Sequence, residues 1–275
     1  MRKVWFITGS SSGLGRSLTN EVLLKGDIVV ATARDPQKNE DLVQRFGDQV
    51  HVLQLDVSDN KRINEVVKET IDKFGRIDVL VNNAGFGITG ATEAFTPKQV
   101  HDQFATNLLG PIQICRAVLP HMRKQKSGRI FNISSIGGRV TSIGLAIYQS
   151  AKFGLSGFSE ALSKEVAPLG IGVTAVEPGG IQTNWSGSSM SFAPHVEGYE
   201  ETVDTRVGFF QSGKFVAKSD PKKIAKVLID IAENPEPPVH LVLGSDAVAV
   251  LKETNKKREE EFQNWISVTL STDAD

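Results

Sequence analysis

This 275-residue sequence predicts an α/β fold, a doubly wound parallel seven-stranded sheet with helices on both faces. Three observations lead there. Short runs rich in Val and Ile alternate with longer amphipathic segments along most of the chain, the pattern of βαβ units. The short runs are nearly continuously apolar, as strands buried on both faces must be, whereas a sheet with one wet face would alternate. Capping residues stand where the amphipathic segments begin.

The strands read in order as Val4 to Ile7, Ile28 to Thr32, Val50 to Leu55, Val79 to Val81, Arg129 to Ile133, Gly172 to Val176 and Val239 to Val242. Asp35-Pro36 is an N-cap followed by proline at the first helical position, and Ser58 or Asp59 caps a helix running to about Phe74. The segment from Pro97 to about Lys124 is helical in pattern but interrupted by Gly110-Pro111 and Pro120, where kinks are expected. From about Asn184 the repeat breaks into a Ser- and Gly-rich stretch carrying Trp185, Phe192, Tyr199, Phe209 and Phe210. Loops of that length are usually functional, so a substrate-binding loop is expected at about 184–215. Asp220 to Glu233 resumes as a helix, Asn234 to Pro238 breaks it, and a terminal helix is expected at about 245–267, its Lys256 to Glu261 charge run forming a solvated face. With no repeat or linker, residues 1–275 read as one domain.

Bulk chemistry narrows the function. The 31 basic and 32 acidic side chains nearly cancel, which gives no electrostatic case for nucleic acid or an anionic membrane surface and favours a neutral or amphiphilic small molecule. The lone Cys115 excludes an intramolecular disulfide and reads as a small buried hydrophobe. No run approaches the roughly 20 apolar residues that span a bilayer, and Val4 to Ile7 passes into Thr8-Gly9 without a signal-peptide pattern, so a cytoplasmic protein is expected. On that expectation Asn132-Ile133-Ser134 and Asn184-Trp185-Ser186 are chance glycosylation matches. His51, His101, His121, His195 and His240 show no ligand spacing; they read as surface or loop residues, and no metal is expected.

Directly after the first strand stands Thr8-Gly9-Ser10-Ser11-Ser12-Gly13-Leu14-Gly15, with a helical pattern following. Such glycines let the backbone turn sharply and approach a pyrophosphate, while the helix start offers unpaired N–H groups. Alone, the turn could equally be a flexible connection. Further on come Asn82-Asn83-Ala84-Gly85, Tyr148-Gln149-Ser150-Ala151-Lys152 and Pro178-Gly179, each at or beyond a strand end.

In these four ordered motifs the chain resembles the short-chain dehydrogenase/reductase family, whose signatures are TGxxxGxG and YxxxK; the likeness is strong over Lys3 to about Thr183. The Ala31 to Pro36 run ATARDP and the Leu243 to Ala247 run LGSDA resemble its hydroxysteroid and retinol dehydrogenase-like carbonyl reductase branch. The resemblance implies a single NADP-binding Rossmann domain. Gly9, Ser11, Ser12, Gly13, Leu14 and Gly15 would hold the cofactor, with Asp56 and Val57 at the adenine and Asn82, Ala84 and Gly85 lining it. Asp56 could instead cap a turn, and Asn82 and Asn83 could instead tie strands together. Pro178, Gly179, Ile181 and Thr183 would lie at the nicotinamide. Where NAD-dependent members carry Asp the chain has Ala33, followed by Arg34, whose guanidinium suits a 2′-phosphate; this favours NADP(H). Asp35 is the competing acid, but Pro36 behind it gives it a simpler role as a cap.

At the chemical end, Tyr148 is the expected proton donor. A phenol of pKa about 10 needs a shift of roughly 4 kcal/mol to reach neutrality, and Lys152, four residues on, sits on the same helical face. An ammonium about 4 Å away contributes about that much at an effective dielectric near 20, with the right sign. The resemblance implies that Lys152 also binds the nicotinamide ribose, that Ser135 holds the substrate oxygen, and that Asn107 supports a water relay. Reduction of a bulky apolar ketone or aldehyde is the expected activity. NADP-linked oxidation of a secondary alcohol and a non-catalytic NADPH-binding sensor are the alternatives. An S-adenosylmethionine methyltransferase would share the glycine turn but leave YxxxK unexplained. A homo-oligomer, dimer or tetramer, is implied by the resemblance.

Overall fold

The computed structural model describes residues 2–183, 190–213 and 216–274. Its centre is a parallel sheet of seven strands: β1 (Val4–Thr8), β2 (Ile28–Ala33), β3 (Val50–Gln54), β4 (Val79–Asn82), β6 (Gly128–Ile133), β7 (Ile171–Pro178) and β9 (His240–Leu243). The spatial order is β3-β2-β1-β4-β6-β7-β9. The chain therefore builds outward from β1 in one direction, returns through β4, and builds outward in the other. Between β1 and β4 the direction reverses, which opens a crevice at the carboxyl ends of the strands.

Period-2 alternation in the strands feeds two cores. Val4 and Phe6 of β1 face a cluster completed by α3 (Asn60–Phe74), α5 (Gly110–Gln125) and α6 (Ala146–Val166). Trp5 and Ile7 face the other, completed by α1 (Gly13–Lys25), α2 (Glu40–Phe46) and α8 (Pro221–Glu233). Trp5, Phe6 and Ile7 have no exposed surface, and each contributes about 1.5–3 kcal/mol by burial. The doubly wound expectation holds because both faces of every central strand find a helix.

Capping follows the sequence reading. The Asp35 carboxylate accepts from Gln37 N (3.2 Å) ahead of Pro36, and Asp59 accepts from Lys61 N and Arg62 N (3.0 Å each) to start α3. Ser58 does not cap; its N–H and hydroxyl both donate to Asp56.

Two expectations need correction. The helical stretch from Pro97 is broken not at Gly110-Pro111 but just before them. α4 (Pro97–Phe104) passes through a π-helical turn at Ala105–Leu109 into α5, which then runs unbroken across Pro120. Pro111 is accommodated because it stands in the first turn of α5, where its missing N–H costs nothing. Nor is the stretch from 184 only a loop. Residues 184–189, with Trp185, lie outside the described residues, as do 214–215, but between them β8 (Met190–Phe192) pairs in parallel with β5 (Gly87–Thr89). A π-turn at Glu200–Asp204 then leads into α7 (Thr205–Gln211). The terminal helix α9 (Ser245–Leu270) is longer than expected by about a turn. Among the described residues no helix is long and apolar enough to cross a membrane.

Gly15 marks where α1 meets the sheet. A Cβ there would stand 2.4 Å from Asn83 Nδ2 and 2.4 Å from the Gly9 carbonyl oxygen. Gly15→Ala should therefore force α1 off β1 and lower stability by about 1–3 kcal/mol in urea unfolding. Gly157→Ala, in the middle of α6 with nothing within 4 Å of the new methyl, should instead raise it by about 0.5–1 kcal/mol. Equal effects at the two sites would show that packing at Gly15 is not the constraint.

Candidate active site

A cleft of about 1380 Å³ runs along the carboxyl ends of the strands, from the glycine turn and Arg34 at one end to α7 and α9 at the other. Of the residues expected from sequence to bind or react, Gly9, Ser11, Ser12, Gly13, Leu14, Arg34, Asp56, Val57, Ala84, Gly85, Ser135, Tyr148, Lys152, Pro178, Gly179, Ile181 and Thr183 line it. Gly15, Asn82 and Asn107 do not.

The β1–α1 turn is shaped for close approach. Gly9 and Gly13 hold φ of +65° and +55°, the left-handed region that disfavours side chains. A Cβ on Gly9 would meet the Ala84 backbone at 2.9 Å. The turn is braced from below: Ser10 Oγ donates to the Thr32 carbonyl (3.1 Å) and accepts from Asn39 Nδ2 (3.0 Å). Ser12, at the N-cap of α1, makes no side-chain capping bond, so the helix start faces the cleft with its first N–H groups unserved by a cap. The helices starting at Asn60, Pro97 and Pro221 all carry side-chain caps. Thr183 stands opposite Gly13, its Cβ 3.7 Å from the position a Gly13 Cβ would take.

At the end of β2 Arg34 is exposed, and its guanidinium forms no ion pair among the described residues. Asp35 is spent on its cap. Asp56 lines the cleft while its Oδ1 holds Ser58 in a turn, so the capping role and the placement coexist.

Asn82 departs from its expected place. Its Nδ2 donates to Asn132 Oδ1 (2.8 Å), turning the side chain toward α5 and tying β4 to β6. Asn83 is the member of the pair in the cleft wall, its Nδ2 donating to the Thr8 and Gly9 carbonyls (2.9 and 3.1 Å). Alternation in a strand sends neighbours to opposite sides, which the dipeptide alone does not orient.

At the other end, α6 presents Tyr148 and Lys152 one turn apart, both buried. The Tyr148 hydroxyl is hydrogen-bonded to Ser135, whose Oγ also accepts from Gly137 N (3.0 Å). Lys152 Nζ donates to the Ile133 carbonyl at the end of β6 (2.8 Å) and lies 5.8 Å from the Tyr148 ring centre. The electrostatics differ from the sequence expectation. Burial pushes the Tyr148 phenol up to about 12, opposed only by the Ser135 hydrogen bond, and burial brings the Lys152 ammonium down to about 8. Desolvation disfavours both charged forms and is the largest influence on each.

Asn107, in the π-turn, is fully buried and clamps the Phe86 backbone from both sides: Oδ1 accepts from its N–H (3.2 Å) and Nδ2 donates to its carbonyl (2.8 Å). A Cβ on Gly85 would come within 2.9 Å of Asn107 Oδ1 and 3.7 Å of Lys152 Nζ, so Asn107, Gly85 and Lys152 are neighbours although Asn107 is outside the wall.

Beneath the site lies a polar network in which Ser156, Glu177 and Arg139 escaped the sequence reading. Ser134 Oγ contacts the Lys152 carbonyl (3.1 Å) and Ser156 Oγ (2.9 Å), and Ser156 donates to Glu177 (3.1 Å). Glu177 has no exposed surface and is also bonded by Arg139 Nη1 (3.2 Å) and His240 Nδ1 (2.9 Å). His240 is thus no loose surface histidine but a half-buried partner of Glu177 at the start of β9; an acidic residue inside an apolar strand was the available signal. Cys115 is buried as expected, its thiol pushed up to about 12 by desolvation. Although no metal was expected, His195, Glu200 and Asp204 come together with ligand atoms within 4.8 Å of one another. His195 pairs with Asp204 (2.9 Å), while Glu200 accepts from Gly198 N.

Comparison with known proteins agrees with this architecture. Residues 3–192 match the family model described as short chain dehydrogenase. The chain is 42% identical over 273 residues to oxidoreductase BOA17 of Botryotinia fuckeliana, covering 99% of this chain and 100% of that one. A crystal structure of a short-chain dehydrogenase from Streptomyces avermitilis superimposes with a TM-score of 0.94 at 37% identity, covering 100% of both chains. The structure of ElxO with NADP bound superimposes at 0.76, with 27% identity over 90% of this chain and all of that one.

The raised phenol gives a direct test. The protein has two tyrosines, and Tyr199 is also raised, chiefly by its hydrogen bond to Glu93. In Tyr199→Phe the tyrosinate absorbance near 295 nm should rise around pH 12 in the unliganded native protein, and near 10 once it is unfolded. The stability that protonated Tyr148 contributes is accordingly present below the unfolded pKa and lost as pH climbs beyond it. A native transition near pH 7 or 8 would contradict this.

Proposed function

The chain belongs to the short-chain dehydrogenase family and is an oxidoreductase of that type; on that premise we propose that it reduces a ketone or aldehyde to an alcohol with NADPH. The observation that carries the reading is the Ser135–Tyr148–Lys152 group at one end of a cleft whose other end is an uncapped glycine turn. Residues 1–275 act in this reading as one unit.

The residues present fit such a dinucleotide. The left-handed Gly9 and Gly13 and the open start of α1 leave room for a pyrophosphate against N–H groups. Arg34 at the end of β2 and Ser11 in the β1–α1 turn suit a 2′-phosphate, Ala33 stands where an acid would repel it, and Asp35 is occupied by its cap. ElxO, which binds NADP, is a relative in structure and sequence. NADPH bound there would supply the hydride.

The protein's own part is to manage the oxygen. A carbonyl accepting hydride gains negative charge, so its oxygen needs a proton and a hydrogen bond. Tyr148, held protonated by burial at neutral pH, donates the proton, and an alkoxide is a far stronger base than the phenolate left behind. Ser135 positions the oxygen beside the phenol. Lys152, charged below about 8, returns the proton to Tyr148 and holds the ribose. Asn107 supports the relay by fixing Phe86 and Gly85 beside Lys152.

A spectrophotometric screen of NADPH consumption over ketones and aldehydes tests the activity. With a turned-over substrate, Tyr148→Phe should lower kcat/KM by about 10²–10⁴-fold while NADPH binding persists; retained turnover would remove Tyr148 as the acid. Wild-type kcat/KM should fall as pH rises through about 8, because Lys152 loses its proton there; a profile flat to pH 10 would contradict its role. Arg34→Asp should lower the NADPH:NADH preference by about 10–100-fold, the size of a charged hydrogen-bond pair. An unchanged ratio would assign the phosphate elsewhere.

A further inference from the structure

We infer that Arg206 is a specificity-determining residue that binds a carboxylate on the substrate, so that the substrate is an oxo acid with an apolar body rather than a wholly apolar ketone. The inference rests on the reductase reading for the word substrate, but not for the anion site itself.

Arg206 stands on α7 and lines the substrate end of the cleft beside Phe210. Its guanidinium carbon lies 4.7 Å from the Phe210 ring centre and 5.5 Å from that of Phe209. A cation over aromatic rings is attracted by the ring faces, a contact that uses none of the guanidinium's hydrogen-bond donors. Those donors meet no acceptor: Arg206 forms no ion pair or hydrogen bond among the described residues, and its Nε is buried without an acceptor. Arg206 is half-buried, and that partial burial works against its charge.

Among the cleft's own carboxylates Asp56 holds Ser58, Asp102 pairs with Lys98 (2.5 Å), Glu253 pairs with Lys257 (3.1 Å), and Asp246 accepts from Gly180 N at Oδ2 (2.8 Å) while its Oδ1 is buried without a hydrogen-bond partner; none of the four forms an ion pair with Arg206 among the described residues. The segment that carries Arg206 is fixed to the reacting end. Gly90 N donates to the Gly144 carbonyl (2.9 Å) just ahead of α6, and a Cβ on Gly144 would meet Val203 at 3.7 Å, three residues before Arg206. Arg206 and Tyr148 line the same cleft. A carboxylate matches the donor set, since its two oxygens can take the Nε and Nη hydrogens together.

Methyl-ketone acids CH₃CO(CH₂)ₙCO₂⁻ of increasing n, each beside its neutral primary amide, provide the test with NADPH saturating. At the best chain length the wild type should prefer the acid in kcat/KM by at least tenfold. Arg206→Met should lower that preference at least tenfold, mainly through KM, with Arg206→Lys between the two. A wild type that favours the amides at every length would overturn the inference without any variant, as would an Arg206→Met protein that keeps the acid preference. Thermal-shift titration of the NADPH-loaded protein with alkanoates and alkanamides separates the two readings. Arg206-dependent alkanoate binding without turnover of any ketone would sink the reductase reading and keep the anion site. Turnover of ketones with equal binding of both series would do the reverse.

Discussion

The site depends on one hydrogen bond in a dry place: the Lys152 ammonium against the Ile133 carbonyl at the end of β6. A buried ammonium cannot be left without acceptors, and that carbonyl is open only because the strand ends there. The contact locks α6 to the sheet edge and puts Tyr148, one turn earlier, beside Ser135. Beneath it the Ser134, Ser156, Glu177, Arg139 and His240 chain satisfies the remaining polar groups. Such networks stabilise only when complete. Here Glu177, with no exposed surface, has three side-chain partners.

Desolvation outweighs attraction in this geometry. Holding a phenol near 12 rather than 10 disfavours its anion by about 3 kcal/mol. A full positive charge some 6 Å away could offset a comparable amount at an effective dielectric near 20. Lys152, however, is itself drawn toward neutrality by the same burial. Tyr148, raised to about 12, is therefore protonated at neutral pH, the form a proton donor must have. The i, i+4 spacing places the two side chains on one helical face, but it carries no information about water and so none about the desolvation that dominates both groups.

The same sheet edge organises the rest of the cleft. Reversal of strand order between β1 and β4 leaves the turns after them side by side, so Gly9 and Ala84 approach within reach of a single methyl group. Asn83 fills the gap from one side, and Asn39 braces Ser10 from the other. Over the opposite end, β8 pairs with β5 and carries the chain into α7, giving that end of the cleft walls that differ in character from the sheet edge.

The sequence by itself determined the seven buried strands, the helices between them and their caps, because hydrophobic period and capping are local properties of the chain. It also located the glycine turn and the Tyr-Lys pair, whose chemistry is written in short spacings. Tertiary structure alone decided which of Asn82 and Asn83 faces the cleft, since one step along a strand reverses a side chain. It also placed the helix irregularity at 105–109 rather than at the prolines, where packing of Asn107 onto Phe86 selects a π-turn. Glu177 with His240, and Arg206 with two phenylalanines, became visible only on folding. Their meaning lies in burial and in partners distant along the chain, and neither quantity is a property of any local stretch of residues.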